Sequence, residues 1–241
     1  LNWTPLTATA PSAREGAAMV NDGTGVVLFG GYSGTTLLSD TWYWNGTTST
    51  WTQITTALAA TPAARANAAI ANSGSKVVLF GGACGLPVAT TTCYLNDTWT
   101  WDATAKTWTA VPAANQPAAR LGAMLAKDSS GKLLLFGGRD TAGYLKDAWT
   151  FNGSIWSART QGTITPTARA FSSMATDASG QVILFGGYDG ASYLGDTWIW
   201  NGTAWTQAIT LAQPAPRKMA ALSLFYHPVG GTAIGLALFG G

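Results

Sequence analysis

VVLFGGYSGTTLLSDTWYWNGTTSTW, residues 26–51, contains the features that later segments of this chain repeat. An apolar run ends in two glycines, a loop follows, and Asp-Thr-Trp then leads to Asn-Gly and another tryptophan. The apolar run and its double glycine return as VVLFGG, LLLFGG and VILFGG, and a last Phe-Gly-Gly ends at Gly241. Because self-similarity at a fixed period is the signature of repeat architectures, the chain is interpreted as a series of similar units.

Four motifs recur in the same order at intervals of about 50 residues. Phe-Gly-Gly begins at Phe29, Phe80, Phe136, Phe185 and Phe239. An arginine that ends a proline-containing segment precedes each of them, at Arg14, Arg65, Arg120, Arg169 and Arg217. Asp-x-Trp follows the first four, at Asp40, Asp97, Asp147 and Asp196. A closing tryptophan comes next, at Trp51, Trp108, Trp156 and Trp205, and Trp3 matches this last position because Arg14 follows it.

Each unit is predicted to form four β-strands. In the first unit GAAMV is strand one and VVLFGG is strand two, and the turn NDGTG between them suits a tight hairpin. DTWYW is strand three, with Trp42 and Trp44 on one face because side chains alternate along a strand. Asn-Gly then turns the chain into strand four around Trp51. No segment has a convincing 3.6-residue apolar period, so an all-β fold is expected.

A four-stranded sheet of this kind must stack on copies of itself, and radial stacking at this period gives a propeller. The order of arginine, Phe-Gly-Gly, Asp-x-Trp and tryptophan resembles the kelch repeat, and the resemblance covers nearly the whole chain. It implies an all-β β-propeller of four-stranded antiparallel blades, within the galactose oxidase-like propeller superfamily. It implies little about function, because kelch propellers include binding proteins and a few enzymes.

The chain is predicted to be a single kelch-like β-propeller over residues 1–241, with about five repeats. The repeats are expected at about 11–56, 62–112, 117–160, 166–210 and, in part, 214–241. The last repeat lacks Asp-x-Trp, and Trp3 within residues 1–6 is expected to supply its fourth strand and close the ring. Kelch rings usually have more blades, so a piece of a longer ring stays the alternative to this small closed one.

The composition argues against nucleic-acid and membrane partners. Charged residues make up 10% of the chain and the net charge is +2, which is too small for attraction to nucleic acid or an anionic membrane. No apolar run reaches the ~18 residues of a spanning helix. No cofactor and no metal site are expected, since a lone cysteine pair lacks the further ligands that a zinc ion needs.

The tryptophans and the repeated charges are predicted to be structural. All 12 tryptophans lie at repeat positions, so packing between blades is favoured over a platform for sugar stacking. The repeat arginines and aspartates begin strands at the face that bears the loops between strands two and three, so one Arg–Asp pair per unit is expected there. The predicted structural residues are Arg14, Arg65, Arg120, Arg169, Asp40, Asp97, Asp147 and Asp196.

The loops between strands two and three, called the two-to-three loops below, differ from unit to unit. Variable loops on a rigid scaffold commonly carry function, so these loops are the expected binding site. The candidate ligand-binding residues are Tyr32, Arg139, Asp140, Tyr144, Tyr188, Asp189 and Tyr193. Tyr144 and Tyr193 lie in Tyr-Leu-x-Asp segments, so packing is the alternative role for them. The opposite face has short turns with little to offer a ligand.

Cys84 and Cys93 lie in one of these loops, and the chain has 2 cysteines in all. A local pair of this kind predicts a disulfide and an oxidising compartment. The disulfide is expected to make the loop rigid rather than to take part in chemistry. The expected location is therefore extracellular or at the cell surface.

These features favour a non-catalytic binding module of an extracellular or cell-surface protein, with a protein or glycan held by the two-to-three loops. The first alternative is a structural or assembly domain of a larger surface or filament protein, without its own ligand. The second is a carbohydrate-active enzyme on a propeller scaffold. Catalysis is disfavoured because His227 is the single histidine, whereas a copper-radical oxidase of the galactose oxidase type needs two histidine ligands and a Cys–Tyr pair.

Overall fold

The computed structural model describes residues 9–55, 61–112, 114–209, 213–226 and 233–241. Within these residues the chain forms strands joined by turns and loops, so the all-β prediction is confirmed. The described segments contain no helix of the length and apolar character needed to cross a membrane. The strand predicted around Trp3 at residues 1–6, and the single histidine His227, lie outside the described residues.

Each of the first four units is one four-stranded antiparallel sheet, with its strands hydrogen-bonded in chain order. Unit one contains β1 (Ala18–Asn21), β2 (Val26–Tyr32), β3 (Leu37–Asn45) and β4 (Thr50–Ile54). Unit two contains β5 (Ala69–Asn72), β6 (Val77–Ala83), β7 (Tyr94–Asp102) and β8 (Thr107–Val111). Unit three contains β9 (Met124–Lys127), β10 (Leu133–Phe136), β11 (Ala148–Phe151) and β12 (Trp156–Arg159). Unit four contains β13 (Ser173–Thr176), β14 (Val182–Tyr188), β15 (Tyr193–Trp200) and β16 (Trp205–Ala208).

Unit five is described as one antiparallel pair, β17 (Ala221–Tyr226) and β18 (Ala233–Phe239). By their sequence motifs these two strands correspond to strands one and two of the complete units, because β18 ends at a Phe-Gly-Gly. Four-stranded antiparallel sheets in chain order are the blades from which propellers are built. The predicted strand pattern is therefore confirmed for the four complete units.

The double glycine ends strand two because the next unit comes too close for a side chain. Gly30 and Gly31 have φ values of 65° and 106°, which glycine adopts without steric cost. A Cβ on Gly30 would lie 2.6 Å from the carbonyl oxygen of Arg65. The backbone N–H of Gly31 donates to that same oxygen at 2.9 Å. The motif therefore joins unit one to unit two through the backbone of the next repeat arginine.

The hydrophobic core lies between neighbouring sheets. The phenylalanine of Phe-Gly-Gly packs on the strand-four tryptophan of the following unit, and the ring centroids of Phe29 and Trp108 are 5.5 Å apart. The equivalent pairs are Phe80–Trp156 at 5.1 Å and Phe136–Trp205 at 5.2 Å. All of these rings are buried. Since a buried aromatic side chain removes roughly 150–250 Å² from water, these pairs hold the sheets together.

The indole N–H groups of these tryptophans reach across to the preceding unit. Nε1 of Trp108 donates to the hydroxyl of Thr41 at 3.0 Å, and Nε1 of Trp156 donates to that of Thr98 at 2.9 Å. Both threonines belong to Asp-Thr-Trp motifs. Unit three has Ala148 at this place, and the buried Nε1 of Trp205 has no hydrogen-bond partner among the described residues. A buried donor without a partner costs free energy of folding.

A guanidinium joins the three repeated motifs of each complete unit. In unit two, Nη1 of Arg65 donates to the carbonyl of Gly81 at 3.0 Å and to Oδ1 of Asp97 at 2.6 Å. Nη2 of Arg65 donates to Oδ2 of Asp97 at 2.7 Å, so the pair is bidentate. Nε1 of Trp99 donates to the same Oδ2 at 2.6 Å. We call this arrangement the Arg–Asp–Trp network.

The network recurs in every complete unit. Its members in the other units are Arg14, Asp40 and Trp42; Arg120, Asp147 and Trp149; and Arg169, Asp196 and Trp198. The side chains of Arg65, Arg120 and Arg169 are each 1% exposed, whereas their aspartates are partly exposed. The structure thus places the eight residues predicted to be structural in four bidentate ion pairs at the start of strand three.

The network keeps its aspartates charged. Burial by itself raises the pKa of Asp97, but the hydrogen bond and positive charge of Arg65 and the hydrogen bond from Trp99 outweigh it. The pKa of Asp97 therefore lies below its ordinary value of 3.8. The same balance of burial against arginine and tryptophan contacts lowers the pKa of Asp40, Asp147 and Asp196. Both partners of each pair are ionised at neutral pH, so removing one would leave the other without its counter-charge.

Replacing Ala148 with threonine should stabilise the protein. The new hydroxyl is expected to accept the hydrogen bond from Nε1 of Trp205, as Thr41 and Thr98 do for the equivalent tryptophans. Satisfying the donor should raise the free energy of unfolding by about 1 kcal/mol, measured by chemical denaturation. Ala148→Val is the matched control, because it adds similar volume without an acceptor. Equal stability of the two variants would contradict this role for the hydroxyl.

Arg120→Ala should lower the free energy of unfolding by on the order of 3 kcal/mol, because it removes a buried guanidinium and leaves Asp147 unpaired. Chemical denaturation at neutral pH measures the loss. Lys146→Ala is the control, since Lys146 is an exposed cation next to Asp147 in the sequence and should change stability by less than about 0.5 kcal/mol. If both variants lose equally little, the guanidinium does not hold the unit together.

Candidate functional site

The first strands of all five units line one central channel. These strands are β1, β5, β9, β13 and β17, and the channel between them has a volume of about 360 Å³. Its wall includes backbone and small side chains such as Ala18, Ala69 and Ala123, together with Met19 and Met174. The two-to-three loops surround one end of this channel, and the short hairpin turns surround the other. The channel therefore presents two chemically different mouths.

A series of four backbone hydrogen bonds follows the wall of the channel at the loop end. It runs through the second residue after each repeat arginine, and these residues have left-handed φ values: Gly16 (63°), Asn67 (56°), Gly122 (64°), Phe171 (59°) and Met219 (59°). The N–H groups of four of them donate to the carbonyl of the equivalent residue in the preceding unit, from Asn67 to Gly16, Gly122 to Asn67, Phe171 to Gly122 and Met219 to Phe171, at 2.8–2.9 Å. We call these five residues the collar. The collar fixes the loop end of the channel.

Two collar residues adopt a backbone conformation that bulky side chains rarely take. Phe171 and Met219 both have left-handed φ values although neither is glycine. The ring of Phe171 lies over Gly122, where an added Cβ would stand 2.7 Å from it. The glycine of unit three thus makes room for the aromatic ring of unit four. Residues held in such conformations are often found at binding and catalytic sites.

A pocket of about 300 Å³ opens above the collar, and we call it the mouth pocket. Four of the predicted ligand-binding residues line it, namely Tyr32, Arg139, Tyr144 and Tyr188. The wall also includes side chains that the sequence analysis did not select, among them Glu15, Phe171, Lys218 and Met219. The mouth pocket therefore combines two cations, one carboxylate and several aromatic rings drawn from separate units.

Tyr144 and Tyr188 of the mouth pocket form an aromatic cluster with Tyr193. The ring of Tyr188 meets Tyr144 edge-on with centroids 5.7 Å apart, and it packs on Tyr193 at 5.4 Å. Nζ of Lys218 lies 5.3 Å from the Tyr188 ring centroid and 5.6 Å from that of Tyr193, within range of a cation–π contact. Burial raises the pKa of Tyr144 above its ordinary value of 10.0, so its hydroxyl stays protonated at neutral pH. Tyr193 supports this cluster from outside the pocket.

The disulfide loop forms part of the pocket wall. Cys84 and Cys93 are bonded, which confirms the predicted disulfide. The N–H of Cys84 donates to the carbonyl of Cys93 at 2.9 Å, so the base of this loop is closed twice. Val88 and Ala89 within the loop line the mouth pocket, and Nη1 of Arg139 donates to the carbonyl of Ala89 at 3.2 Å. The covalent bond thus holds a loop of unit two against a side chain of unit three.

Besides Tyr193, two of the predicted ligand-binding residues, Asp140 and Asp189, do not line the mouth pocket. Oδ1 of Asp140 accepts hydrogen bonds from the N–H groups of Ala142 and Gly143, at 2.8 and 3.0 Å. Oδ1 of Asp189 accepts them from Ala191 and Ser192, at 2.8 and 2.7 Å. Both carboxylates therefore shape their own loops, in the manner of aspartates in Asx turns. These aspartates fix the conformation of the loops that carry other lining residues. The charged side chains that line the pocket are Glu15, Arg139 and Lys218.

The residues that the sequence analysis missed occupy two equivalent positions in every unit. The residue directly after the repeat arginine is Glu15 in unit one and Lys218 in unit five, and it is alanine or leucine in the others. The next residue is the collar residue, which is Phe171 in unit four and Met219 in unit five. Aligning the units on their arginines would have shown this variation.

Among the described residues, the opposite mouth is lined by apolar and uncharged polar side chains and by Lys127, without aromatic rings. Its turns are closed by asparagine and aspartate side chains, as where Oδ1 of Asn152 accepts hydrogen bonds from Ser154 and Ile155 at 3.0 and 2.9 Å. No group of three or more histidine, cysteine, aspartate or glutamate side chains suited to a metal ion occurs in the part of the chain that the structure describes. The mouth pocket is therefore the site that the geometry favours.

Comparison with known proteins agrees with the repeat structure. The family model of the KLHDC2/KLHL20/DRC7 Kelch-repeats domain matches residues 1–126, which is more than half of the 241 residues. No curated protein matches the chain. Kelch repeats generally mediate protein binding, and their domains are generally non-catalytic. The matched region spans the first two units and the start of the third, with their arginines, double glycines and Asp-x-Trp motifs, and the chain therefore belongs to the kelch-repeat family.

Proposed function

We propose that this chain is a protein-binding module and that the mouth pocket receives a short polar segment of the partner. The observation that carries the proposal is the composition of the pocket, which gathers charged and aromatic side chains from units one, three, four and five beside the collar. Its volume of about 300 Å³ is at the lower end of the range for ligand pockets, which suits a few residues of an extended segment or a loop tip.

The charges of the pocket suggest how a partner segment is bound. Arg139 and Lys218 can donate to carboxylate or carbonyl oxygens of the partner, and Glu15 can accept from its N–H groups or cations. The hydroxyls of Tyr32 and Tyr188 donate to carbonyls in their own loops, Gly34 and Gly190, so their rings rather than their hydroxyls are available for packing. A polypeptide offers carbonyls, N–H groups and apolar side chains together, and so matches this mixture.

The five units are proposed to act as one domain, a single propeller over residues 1–241 without catalytic activity of its own. The aromatic pairs and the collar join each unit to the next, and the pocket needs residues from all of them. An assembly role without a ligand would not explain why the mouth pocket gathers charged side chains, or why Phe171 and Met219 hold left-handed backbone conformations. Protein binding is therefore preferred over that alternative.

The binding function can be tested with selected ligands. A displayed library of random peptides and a glycan array are screened against the chain, and the affinity of the best ligand is measured by calorimetry. Arg139→Ala combined with Lys218→Ala should weaken a peptide ligand at least tenfold, because both pocket cations are lost. Lys132→Ala combined with Asn152→Ala is the matched control on the opposite face and should change affinity less than twofold.

Three outcomes would contradict the proposal. Equal affinity of the pocket variant and the unchanged chain would place the ligand elsewhere. Loss of binding only in the control variant would make the short-turn face the working surface. Binding to glycans but to no peptide would mean that the ligand class is a carbohydrate.

We further propose that the chain works outside the reducing cytoplasm, because its 2 cysteines are joined in a disulfide. The matched family is typically intracellular, so this location would set the chain apart from it. Cells that produce the protein are lysed in alkylating agent without reductant, and the intact mass is measured. Both cysteines should escape alkylation. Complete alkylation of Cys84 and Cys93 would place the protein in a reducing compartment.

A further inference from the structure

The methionines of the chain all lie in the wall of the central channel. The chain contains 4 methionines, and they belong to units one, three, four and five. They are Met19, Met124, Met174 and Met219. Methionine commonly fills irregular gaps in a hydrophobic core, whereas these residues are confined to the innermost strands and the collar. The channel therefore collects every thioether sulfur that the chain has.

Two of these methionines lie at the same level of the channel. Met19 is the third residue after Gly16, and Met174 is the third residue after Phe171, so each follows the collar residue of its unit by the same length of strand. Met124 lies one residue closer to its own collar residue. Because a strand rises about 3.3 Å per residue, methionines of three units lie within about that distance of one another along the channel.

Met19 and Met219 contribute little to the core. At the place of Met19, unit three has Leu125, which is 6% exposed and belongs to the core between the sheets. Met19 is 58% exposed and Met219 is 55% exposed. Since hydrophobic stabilisation comes from apolar surface that is removed from water, side chains this exposed add little to it. They are accessible instead to a solute that enters the channel.

The channel wall offers a solute few other ligands. Among the described residues it contains no histidine, cysteine, aspartate or glutamate. The hydroxyls of Ser172 and Ser173 donate to the carbonyls of Gly186 and Ala220, at 2.8 and 2.6 Å. Calcium and magnesium ions need several oxygen ligands, and zinc takes thiolate, imidazole or carboxylate groups. A thioether is a soft, uncharged ligand that selects copper(I), so the wall suits a soft monovalent cation.

We propose that the central channel is a binding site for copper(I), with the sulfur atoms of Met19 and Met174 as its principal ligands and that of Met124 as a further one. A methionine side chain has three rotatable bonds, so the sulfur atoms can adjust to the ion. Met19 and Met174 also line the cavity of about 520 Å³ at the short-turn end of the channel, which gives the ion a path from solvent. The site does not depend on protein binding at the mouth pocket.

The test uses the full chain with isotope-labelled methionine methyl groups, because each of the 4 methionines then gives one signal in an NMR spectrum. Silver(I) in chloride-free buffer is the probe, since it shares the charge of copper(I) and its preference for sulfur and is stable in air. The signals of Met19 and Met174, assigned from single leucine variants, should shift and reach their end point at one equivalent. Copper(I) added under nitrogen should reproduce these shifts, and zinc(II) should cause none.

Met19→Leu combined with Met174→Leu should weaken silver binding at least tenfold, measured by calorimetry. Leucine conserves the volume of methionine, so the fold should remain intact, and circular dichroism checks it. His227→Gln is the matched control, because it removes the single imidazole of the chain, and it should leave the affinity within twofold. The 2 cysteines are joined in a disulfide and offer the ion no thiolate.

Four results would overturn the proposal. The first is a spectrum in which the signals of Met19 and Met174 do not move at one equivalent of silver(I). The second is equal affinity of the double leucine variant and the unchanged chain. Loss of binding in His227→Gln would assign the ion to the imidazole. Shifts caused by silver(I) that copper(I) does not reproduce would exclude copper as the ligand.

Discussion

The guanidinium of the repeat arginine is the interaction on which the rest of the structure depends. In each complete unit it binds the carbonyl of the double glycine and both oxygens of the aspartate that begins strand three. In units two to five, the backbone carbonyl of the same arginine accepts a hydrogen bond from the double glycine of the preceding unit. One residue therefore ties strand two to strand three within a unit and joins that unit to its neighbour. Because the side chain is buried, the charge needs all of these partners.

This rigid attachment explains why the candidate binding residues lie at the mouth pocket. The arginine is held in place by its hydrogen bonds, and the next two residues are adjacent to it in the chain. Their positions are therefore set by an ordered backbone segment. The collar can then hold Phe171 and Met219 in left-handed conformations that a flexible segment would abandon. Glu15 and Lys218 extend from the same fixed segments toward the mouth pocket. The scaffold motif and the candidate site are thus adjacent in sequence and mechanically linked.

Where one unit departs from the repeat, a hydrogen-bond donor and its acceptor in the neighbouring unit can change together. Nε1 of Trp101 donates to Asp22 in the hairpin turn of unit one, at 3.1 Å. Unit three has Phe151 at the place of Trp101, and the preceding turn has Ser73 at the place of Asp22. The donor and its acceptor are replaced together, so no buried N–H is left there. Trp205 and Arg217 differ, since each keeps its side chain where the usual partner is absent from the described residues.

The sequence by itself determined the strands, the units and their scaffold residues. Alternating apolar positions, turn glycines and recurring Arg, Asp and Trp residues are local signals, and the Cys84–Cys93 pair lies within one loop. The tertiary structure alone decided which side chains meet at the mouth pocket. Glu15 and Lys218 are about 200 residues apart in the chain, and the stacking of units brings them to one cavity. It also decided that Asp140 and Asp189 bind their own loops, because those hydrogen bonds depend on backbone geometry that residue types do not specify.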